Sequence, residues 1–240
     1  MSLTKAEIAH LRGLRLKKNR EAAQAFVVEG PKVVAELVAA GHAFESIFAT
    51  ADWTQYESAP TEIIAESAMA KISHFPTPSC VLAVGKIERS ELTPGEINNG
   101  FTLALDGIQD PGNVGTMLRI ADWFGFDRVL LSPDCADLFS QKVINASMGS
   151  FARMLVVTTD LKAALQETTS PILGCDLEGQ PLHDVSPPAS AVVVLGSEGQ
   201  GISSAMAQLL TQRVTIPRRG GAESLNAAVA AGIVCAHLRS

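Results

Sequence analysis

Three separated segments in the second half of the chain combine glycines with polar side chains whose types and spacing suit a ligand site. They are Asp110-Pro-Gly-Asn-Val-Gly115 with Arg119 four residues on, Leu195-Gly-Ser-Glu-Gly199, and Ile216-Pro217 followed by Ser224-Leu-Asn226. Each lies at the end of a short apolar run that predicts a strand. Packing of a core does not require polar residues at that position. We therefore expect one ligand site built from all three segments.

Two common nucleotide-binding motifs are missing from these segments. The glycines after the first strand are Gly107, Gly112 and Gly115, which do not give the Gly-x-Gly-x-x-Gly spacing of a dinucleotide fold, and no Gly-Lys-Ser/Thr of a Walker loop occurs. Gly196 would let a flat ring approach the backbone, although a flexible turn with Ser203 capping the next helix is the simpler alternative. For Ser224 the alternative is capping of the last helix.

The elements around these segments predict an α/β domain with a doubly wound parallel sheet. Short, unbroken apolar runs alternate with helical segments, which is typical of strands covered on both faces. The predicted strands are 101–105, 129–131, 154–157, 172–173 and 191–195. In the helix after the first strand, Asn113 is the expected N-cap and Gly125 the expected C-terminal residue, while Arg119 lies off the apolar face.

The first part of the chain predicts a smaller α/β domain. An amphipathic helix is expected from Thr4 to Arg20, with Thr4 and Glu7 forming a capping box. The expected strands are 25–28, 46–49, 62–65 and 80–84, and the expected helices are 31–40 and 67–72. The polar stretch with Pro94 and Gly95 indicates a linker. The predicted domains are thus 1–88 and 101–240, joined by 89–100.

Composition limits the class of protein. The chain has 240 residues, of which 47% are hydrophobic and 18% charged, and no run approaches the roughly 20 apolar residues of a membrane span. The four cysteines have no paired spacing and the five histidines are scattered, so we expect reduced thiols and no metal site. Without a signal peptide in the sequence, a cytoplasmic protein is expected.

The charge is unevenly distributed. The net charge is −6, yet residues 1–20 hold six basic residues against Glu7 alone, which leaves +5 there and −11 elsewhere. A basic arm on an acidic body is compatible with an RNA partner, and a solvated helix face is the equal alternative.

Together, the three segments resemble the motifs of the SpoU (TrmH-like) family of S-adenosylmethionine-dependent RNA ribose 2′-O-methyltransferases. The resemblance covers 101–239, with residues 110–119, 194–202 and 216–232 carrying the three motifs, and residues 142–149 resembling a stretch usual between the first two. Residues 17–84 resemble, less sharply, the substrate-binding domain of these enzymes, whose fold is like a small ribosomal protein. The resemblance implies a SPOUT-like deep trefoil knot near the C-terminus and a homodimer with an active site completed across the interface.

The resemblance also implies a role for each candidate residue. The cofactor would be S-adenosylmethionine, and its implied binding residues are Leu195, Gly196, Gly201, Ile216 and Leu225. The implied catalytic residues are Asn113, Arg119, Glu198, Ser224 and Asn226. Since arginine ordinarily stays protonated in proteins, Arg119 either takes the hydroxyl proton with help from an RNA phosphate or stays cationic and stabilises the developing alkoxide. Apart from the resemblance, an i,i+3 pair with Asp122 would account for it.

The predicted function is methylation of a ribose 2′-hydroxyl in ribosomal or transfer RNA. The alternatives are a non-catalytic RNA-binding module that keeps the fold and, less compatible with the glycine spacing, a dinucleotide-dependent oxidoreductase. Arg218 and Arg219 depart from the usual third motif, and contact with RNA phosphates or an exposed turn would explain them equally well.

Overall fold

The computed structural model describes residues 3–53 and 61–240, and its contacts divide the chain into two compact units. One unit contains residues 1–88 together with 137–152, and the other contains 89–136 together with 153–240. The helices are α1 Lys5–Gly13, α2 Lys17–Ala23, α3 Pro31–Ala39, α4 Glu66–Ile72, α5 Pro111–Trp123, α6 Gln141–Ser147, α7 Ser150–Arg153, α8 Leu161–Leu165, α9 Ser204–Ala207 and α10 Ala227–Leu238. The strands are β1 Ala25–Glu29, β2 Phe44–Ala49, β3 Thr61–Ile63, β4 Val81–Lys86, β5 Phe101–Asp106, β6 Arg128–Leu131, β7 Leu155–Thr158, β8 Ile172–Pro181, β9 Ala191–Gly196 and β10 Gln212–Thr215. Short 3-10 helices span Glu96–Asn98 and Leu182–Asp184.

The first unit is built on a four-stranded sheet of order β1-β4-β2-β3. Strand β4 is antiparallel to both β1 and β2, and β3 runs parallel to β2. One face of the sheet packs against helices α1 and α4 through a core that includes Leu11, Met69, Ile72 and Leu82. The expected strands of this part of the chain and the expected helices 31–40 and 67–72 are present, with small shifts at their ends.

The predicted single helix from Thr4 to Arg20 is wrong, because the chain forms two helices there. The capping box of Thr4 and Glu7 is confirmed. Helix α1 ends at Gly13, whose carbonyl accepts a hydrogen bond from Asn19 Nδ2 at 2.8 Å. Leu16, three residues later, has an extended backbone and precedes α2. The last carbonyls of α1 are satisfied by tight backbone bonds, from Arg15 N to Arg12 and from Leu16 N to Gly13, as well as by the Asn19 side chain.

Arg20 also differs from the prediction, which placed it on an exposed basic arm or helix face. It is buried, and Nη1 donates to the carbonyls of Leu14 and Arg15, each at 2.9 Å. Its other amino group, Nη2, makes an ion pair with Asp137. Arg20 thus joins the two helices internally and does not belong to an exposed basic face.

Residues 137–152 pack within the first unit, although they follow β6 in the chain. Phe139 and Phe151 contact Phe26 with ring centroids 5.6 and 5.7 Å apart, and Asn145 Nδ2 donates to the Glu29 carbonyl at 3.1 Å. The predicted domain 101–240 includes residues 137–152. No local feature of these residues indicates that they pack with the first unit.

The second unit confirms the doubly wound parallel sheet. Its six strands have the order β10-β8-β9-β5-β6-β7, and every neighbouring pair is parallel. A fully buried cluster that includes Ala104, Leu130, Val192 and Val194 packs one face of this sheet against helices. Strand β8 is longer than expected, since it continues past Leu173 to Pro181.

Two helix caps differ from the sequence prediction. Asp110, not Asn113, caps α5, because Asp110 Oδ1 accepts from Asn113 N at 2.9 Å and Pro111 occupies the first helical position. Likewise α10 is capped by Asn226 and not by Ser224, since Asn226 Oδ1 accepts from Ala228 N and Val229 N at 3.0 and 3.2 Å. Gly125 ends the α5 region with a positive φ of 64°, as expected.

None of the helices in the described parts of the chain has the length and hydrophobicity needed to cross a bilayer.

Candidate functional site

The site lies at the carboxyl ends of the central strands of the second unit. Strands β5 and β9 are neighbours in the sheet and end side by side, with Asp106 paired to Gly196. Because parallel strands direct their carboxyl ends to the same edge, the loops after them meet there. All three motifs predicted from the sequence contribute loops or helix starts to this edge.

Gly196 is required by the turn that follows β9. A Cβ at this position would overlap the backbone of Gly201 and Ile202. Gly201 is favoured for a different reason, because its φ is positive, at 68°. The turn closes through a hydrogen bond of 2.8 Å from Gly201 N to the Ser197 carbonyl. The turn's own backbone is therefore sufficient reason for glycine at position 196, and the approach of a flat ring there stays a prediction.

Two further side chains hold this turn and the segment after it. Ser197 Oγ accepts from Gln200 N at 3.2 Å, and the buried Asp106 accepts from Ser203 N through Oδ2 at 2.7 Å. Ser203 caps α9, as the sequence predicted. Asp106 was not among the predicted site residues, although an acidic residue that ends an apolar strand is a signal that could have indicated it.

Glu198 joins the three motifs into one hydrogen-bonded network. Its Oε1 accepts from Asn113 Nδ2 at 2.5 Å and from Asn226 Nδ2 at 3.2 Å. Asn226 Nδ2 also lies 3.0 Å from Asn113 Oδ1, and the backbone N of Ala227 lies 3.5 Å from the same Glu198 oxygen. The start of α5, the turn after β9 and the start of α10 are thus fixed to one another by side chains.

A cavity of about 570 Å³ opens beside this network. Leu195, Ile216 and Leu225 form apolar walls, and the turn after β9 supplies backbone at the rim. All five residues predicted to bind a cofactor line this cavity: Leu195, Gly196, Gly201, Ile216 and Leu225. Its size and largely apolar walls are ordinary for a cofactor site.

The predicted catalytic residues divide into two groups. Glu198 and Ser224 line the cavity, and Asn113 and Asn226 are tied to it through the Glu198 carboxylate. Arg119 does not line the cavity that the described residues enclose. It lies six residues beyond Asn113 on α5, about 9 Å further along the helix axis, with an exposed side chain.

The alternative explanation for Arg119, a pair with Asp122, is not what the structure contains. Asp122 Oδ2 instead accepts from Nε and Nη2 of Arg153 at 2.9 and 2.7 Å. Within the described ranges, Arg119 has neither a hydrogen bond nor an ion pair. Its guanidinium is therefore available to a ligand.

Several residues of the cavity lie beyond the predicted end of β8, so the sequence does not indicate them. Cys175, Asp176 and Leu177 line one side of the cavity, and Asp176 forms an ion pair with Arg213 of β10. Burial raises the pKa of the Cys175 thiol to about 11. This cysteine is therefore a protonated, weakly nucleophilic wall of the cavity at neutral pH.

All four cysteines are free thiols. Across residues 3–53 and 61–240, no group of three or more histidine, cysteine or acidic side chains is arranged to hold a metal ion.

Comparisons with known proteins agree with this architecture. Residues 100–236 match the SpoU rRNA Methylase family, and residues 5–83 match the MRM3-like substrate binding domain. The chain is 30% identical over 234 residues to the 23S rRNA (guanosine(2553)-2′-O)-methyltransferase RlmP of Bacillus subtilis, covering 94% of this chain and 93% of that protein.

Solved structures of similar proteins cover both units. A TrmH-family structure from Porphyromonas gingivalis is 40% identical, with a TM-score of 0.87 over 100% of this chain and 99% of that one. The AdoMet-bound rRNA methyltransferase from Sinorhizobium meliloti is 25% identical, with a TM-score of 0.85 over 100% of this chain and 96% of that one. With the three motifs joined at Glu198 and a family match over more than half of its length, the chain belongs to the SpoU rRNA methylase family.

Proposed function

We propose that this protein transfers a methyl group from S-adenosylmethionine to the 2′-hydroxyl of a ribose in ribosomal or transfer RNA. The observation that carries the proposal is the convergence of Asn113, Glu198 and Asn226 beside a cavity lined by the five predicted cofactor residues. The relative from Bacillus subtilis is named as a 23S rRNA 2′-O-methyltransferase, and the neighbour from Sinorhizobium meliloti is described with AdoMet bound.

The cavity fits S-adenosylmethionine in size and chemistry. A volume of about 570 Å³ is within the range of small-molecule sites, and Leu195, Ile216 and Leu225 offer apolar surface for an adenine ring. When bound, this cofactor supplies an electrophilic methyl group on a positively charged sulfur. Leu225 is 46% exposed without a ligand, so covering it would also favour binding.

The Glu198 network has a positioning role in this proposal. Two asparagine side chains and one backbone N–H converge on the Glu198 carboxylate, which fixes the start of α10 relative to the turn after β9. Both elements also line the cavity. Holding the reacting groups in line supplies a large part of the acceleration expected for a methyl transfer.

Arg119 is assigned to the ribose hydroxyl. This hydroxyl must lose its proton as its oxygen gains the methyl group, so negative charge develops on the oxygen. An exposed guanidinium with no partner among the described residues can stabilise that charge, and it can also hold the adjacent phosphate that would take the proton. We favour electrostatic stabilisation, because an arginine keeps its own proton in proteins.

A homodimer is part of the proposal. Trp123 at the end of α5 is 84% exposed, and Val229 and Ile233 on α10 are 52% and 39% exposed. These two helices pack side by side, with Ile120 against Gly232, so the exposed residues lie on neighbouring helices. A second copy of the chain would bury this apolar surface, and Arg119 lies four residues before Trp123 on the same helix.

A direct assay tests the reaction. The purified protein is incubated with methyl-labelled S-adenosylmethionine and with RNA from cells that lack the gene, and the RNA is then digested to nucleosides. We expect label in a 2′-O-methylnucleoside in the cytoplasmic ribosomal or transfer RNA fraction. Label on a base, or no transfer to any RNA, would overturn the proposal.

A further inference from the structure

The first unit contains a loop that is held firmly at both ends. Residues 73–79, the Phe75 loop, connect α4 to β4, and they surround the fully buried carboxylate of Glu29. Glu29 accepts from Ser73 Oγ at 2.6 Å and from His74 N at 2.8 Å at the start of the loop, and from Ser79 N at 3.0 Å at its end. The Glu29 carboxylate thus holds the two ends of the loop together.

This loop presents an aromatic side chain to solvent. Phe75 is 38% exposed, and among the described residues of the first unit it is the one Phe, Tyr or Trp side chain that is exposed. Its backbone N donates to Ser73 Oγ at 3.0 Å, and Pro76 and Pro78 restrict the chain just after it. A loop this restrained holds the ring outward without the entropy cost that ordering a mobile loop on binding would bring.

Basic side chains of α1 and α4 lie against the same loop. Arg15 Nη2 donates to the His74 carbonyl at 2.6 Å, and Arg12 Nη1 lies 3.5 Å from the Lys71 carbonyl. His74 Nε2 donates in turn to the Leu11 carbonyl at 2.8 Å, which fastens the loop to α1. These contacts place the Arg15 guanidinium at the residue before Phe75 and the Arg12 guanidinium at the last turn of α4.

The basic side chains of this surface form no ion pair within the described residues, and the carboxylate that the loop encloses, Glu29, is fully buried and hydrogen-bonded to the loop. Arg12, Arg15 and Lys71 are exposed, and none of them has a carboxylate partner within residues 3–53 and 61–240. Each arginine uses one of its five N–H donors on a carbonyl and keeps the others for a ligand. In a chain with a net charge of −6, these three side chains are a local group of exposed positive charges.

We propose that the Phe75 loop, with Arg12, Arg15 and Lys71, binds an unpaired nucleotide of the RNA substrate. The base stacks on the Phe75 ring, and the flanking phosphates contact the three basic side chains. Proteins that select RNA loops use this combination, because only an unpaired base exposes its flat face to an aromatic ring. The assignment rests on the proposed function, since it supplies that reaction with a means of choosing its RNA.

Binding measurements on the full chain test the stacking role. The probes are an RNA hairpin with an unpaired loop of randomised sequence and a duplex made of the hairpin's stem sequence. We expect Phe75→Leu to weaken hairpin binding by about 5- to 150-fold, the effect of losing one base–aromatic stack, and to leave duplex binding unchanged. Phe75→Trp keeps an aromatic ring and should retain hairpin binding.

Charge variants test the phosphate contacts. Arg15→Gln should weaken binding of both RNAs. It should also reduce the slope of log Kobs against log salt concentration by about 0.7 to 0.9, the contribution of one phosphate contact. Lys86→Gln, at the exposed end of β4, is the matched control and should change neither quantity. Hairpin binding by Phe75→Leu equal to that of the wild type would overturn the stacking proposal, even if Arg15→Gln behaves as expected.

Photo-crosslinking of the unaltered protein provides a test that does not depend on a variant. A hairpin with 4-thiouridine in its loop should crosslink to a peptide containing residues 73–79, and crosslinks confined to other peptides would overturn the proposal. The same protein preparation is assayed for methyl transfer to RNA from cells that lack the gene. A crosslink at Phe75 without methyl transfer would contradict the proposed reaction alone. Methyl transfer with no crosslink at the loop would contradict only the proposed role of the loop.

Discussion

Asn226 and Asn113 are 113 positions apart in the chain, and the amide of the first donates to the amide oxygen of the second at 3.0 Å. Both donate to Glu198, at 3.2 and 2.5 Å. Each asparagine also takes part in a helix start, because Asn226 caps α10 and Asn113 N is bound by the α5 cap, Asp110. The elements that shape the cavity and the polar groups beside it are therefore positioned by the same contacts.

Arg119→Ala should lower the methyl-transfer rate by at least about 100-fold, the effect of removing one group that stabilises developing charge. The affinity for S-adenosylmethionine, measured by calorimetry, should survive, because Arg119 does not line the cavity among the described residues. Thr116→Ala, an exposed position on the same helix, serves as the control and should keep the rate. A loss of cofactor affinity as large as the loss of rate would remove Arg119 from this role.

Asn226→Ala should lower both cofactor affinity and rate, because it removes the contact to Glu198 as well as the cap of α10. Losing the cap should cost about 1 kcal/mol of unfolding free energy. Asn226→Ser separates the two effects, since serine caps a helix well but has no amide to bridge Asn113 and Glu198. We expect Asn226→Ser to unfold in urea at a nearly normal midpoint while its rate stays low, and unchanged turnover in both variants would exclude Asn226 from the site.

Gly196→Ala should destabilise the protein by about 1–3 kcal/mol, as overpacking of a tight site does, and should weaken cofactor binding. The added Cβ would overlap the backbone of Gly201 and Ile202, so the turn along the cavity has to move. Gly199→Ala is the matched control, because a Cβ there meets open space. Equal unfolding midpoints for the two variants in thermal denaturation would show that the Gly196 turn tolerates a side chain.

Trp123→Glu should convert a dimer into a monomer, because a charge would replace the most exposed large hydrophobic side chain of the described residues, at 84%. Sedimentation over a range of protein concentrations measures the change. Ile63→Glu, at an apolar residue of the first unit that is 52% exposed, is the control and should leave the dimer intact. A wild-type chain that sediments as a monomer, or a Trp123→Glu variant that remains a dimer, would contradict the proposed interface.

The parallel sheet and the place of a ligand site could be predicted because their signals are local. Unbroken apolar runs such as 101–105 and 191–195 identify buried strands from their own residues. They indicate a ligand site at the strand ends, whereas the cofactor roles of Leu195, Gly196 and Ile216 came from the resemblance. The resemblance to a known family then indicated Asn113, Glu198 and Asn226 together. Their hydrogen bonds to one another depend on how distant segments pack, and the sequence contains no local signal for that.

The errors have the same cause. A capping residue is set by the point at which the first turn closes, which the sequence does not show, so the predicted caps Asn113 and Ser224 miss the actual caps Asp110 and Asn226. Arg20 was assigned to an exposed basic face because its partner, Asp137, lies 117 positions away in the chain. The trefoil knot remains a prediction from the resemblance.

Mapping 2′-O-methylated nucleotides in total RNA, with and without the gene, tests the central claim most directly. We expect one ribosomal or transfer RNA position to lose its methyl group when the gene is deleted and to regain it with the wild-type gene but not with the Arg119→Ala variant. An identical set of 2′-O-methylated positions in both strains under every growth condition would contradict this claim, and would favour an RNA-binding protein that has the fold without the reaction.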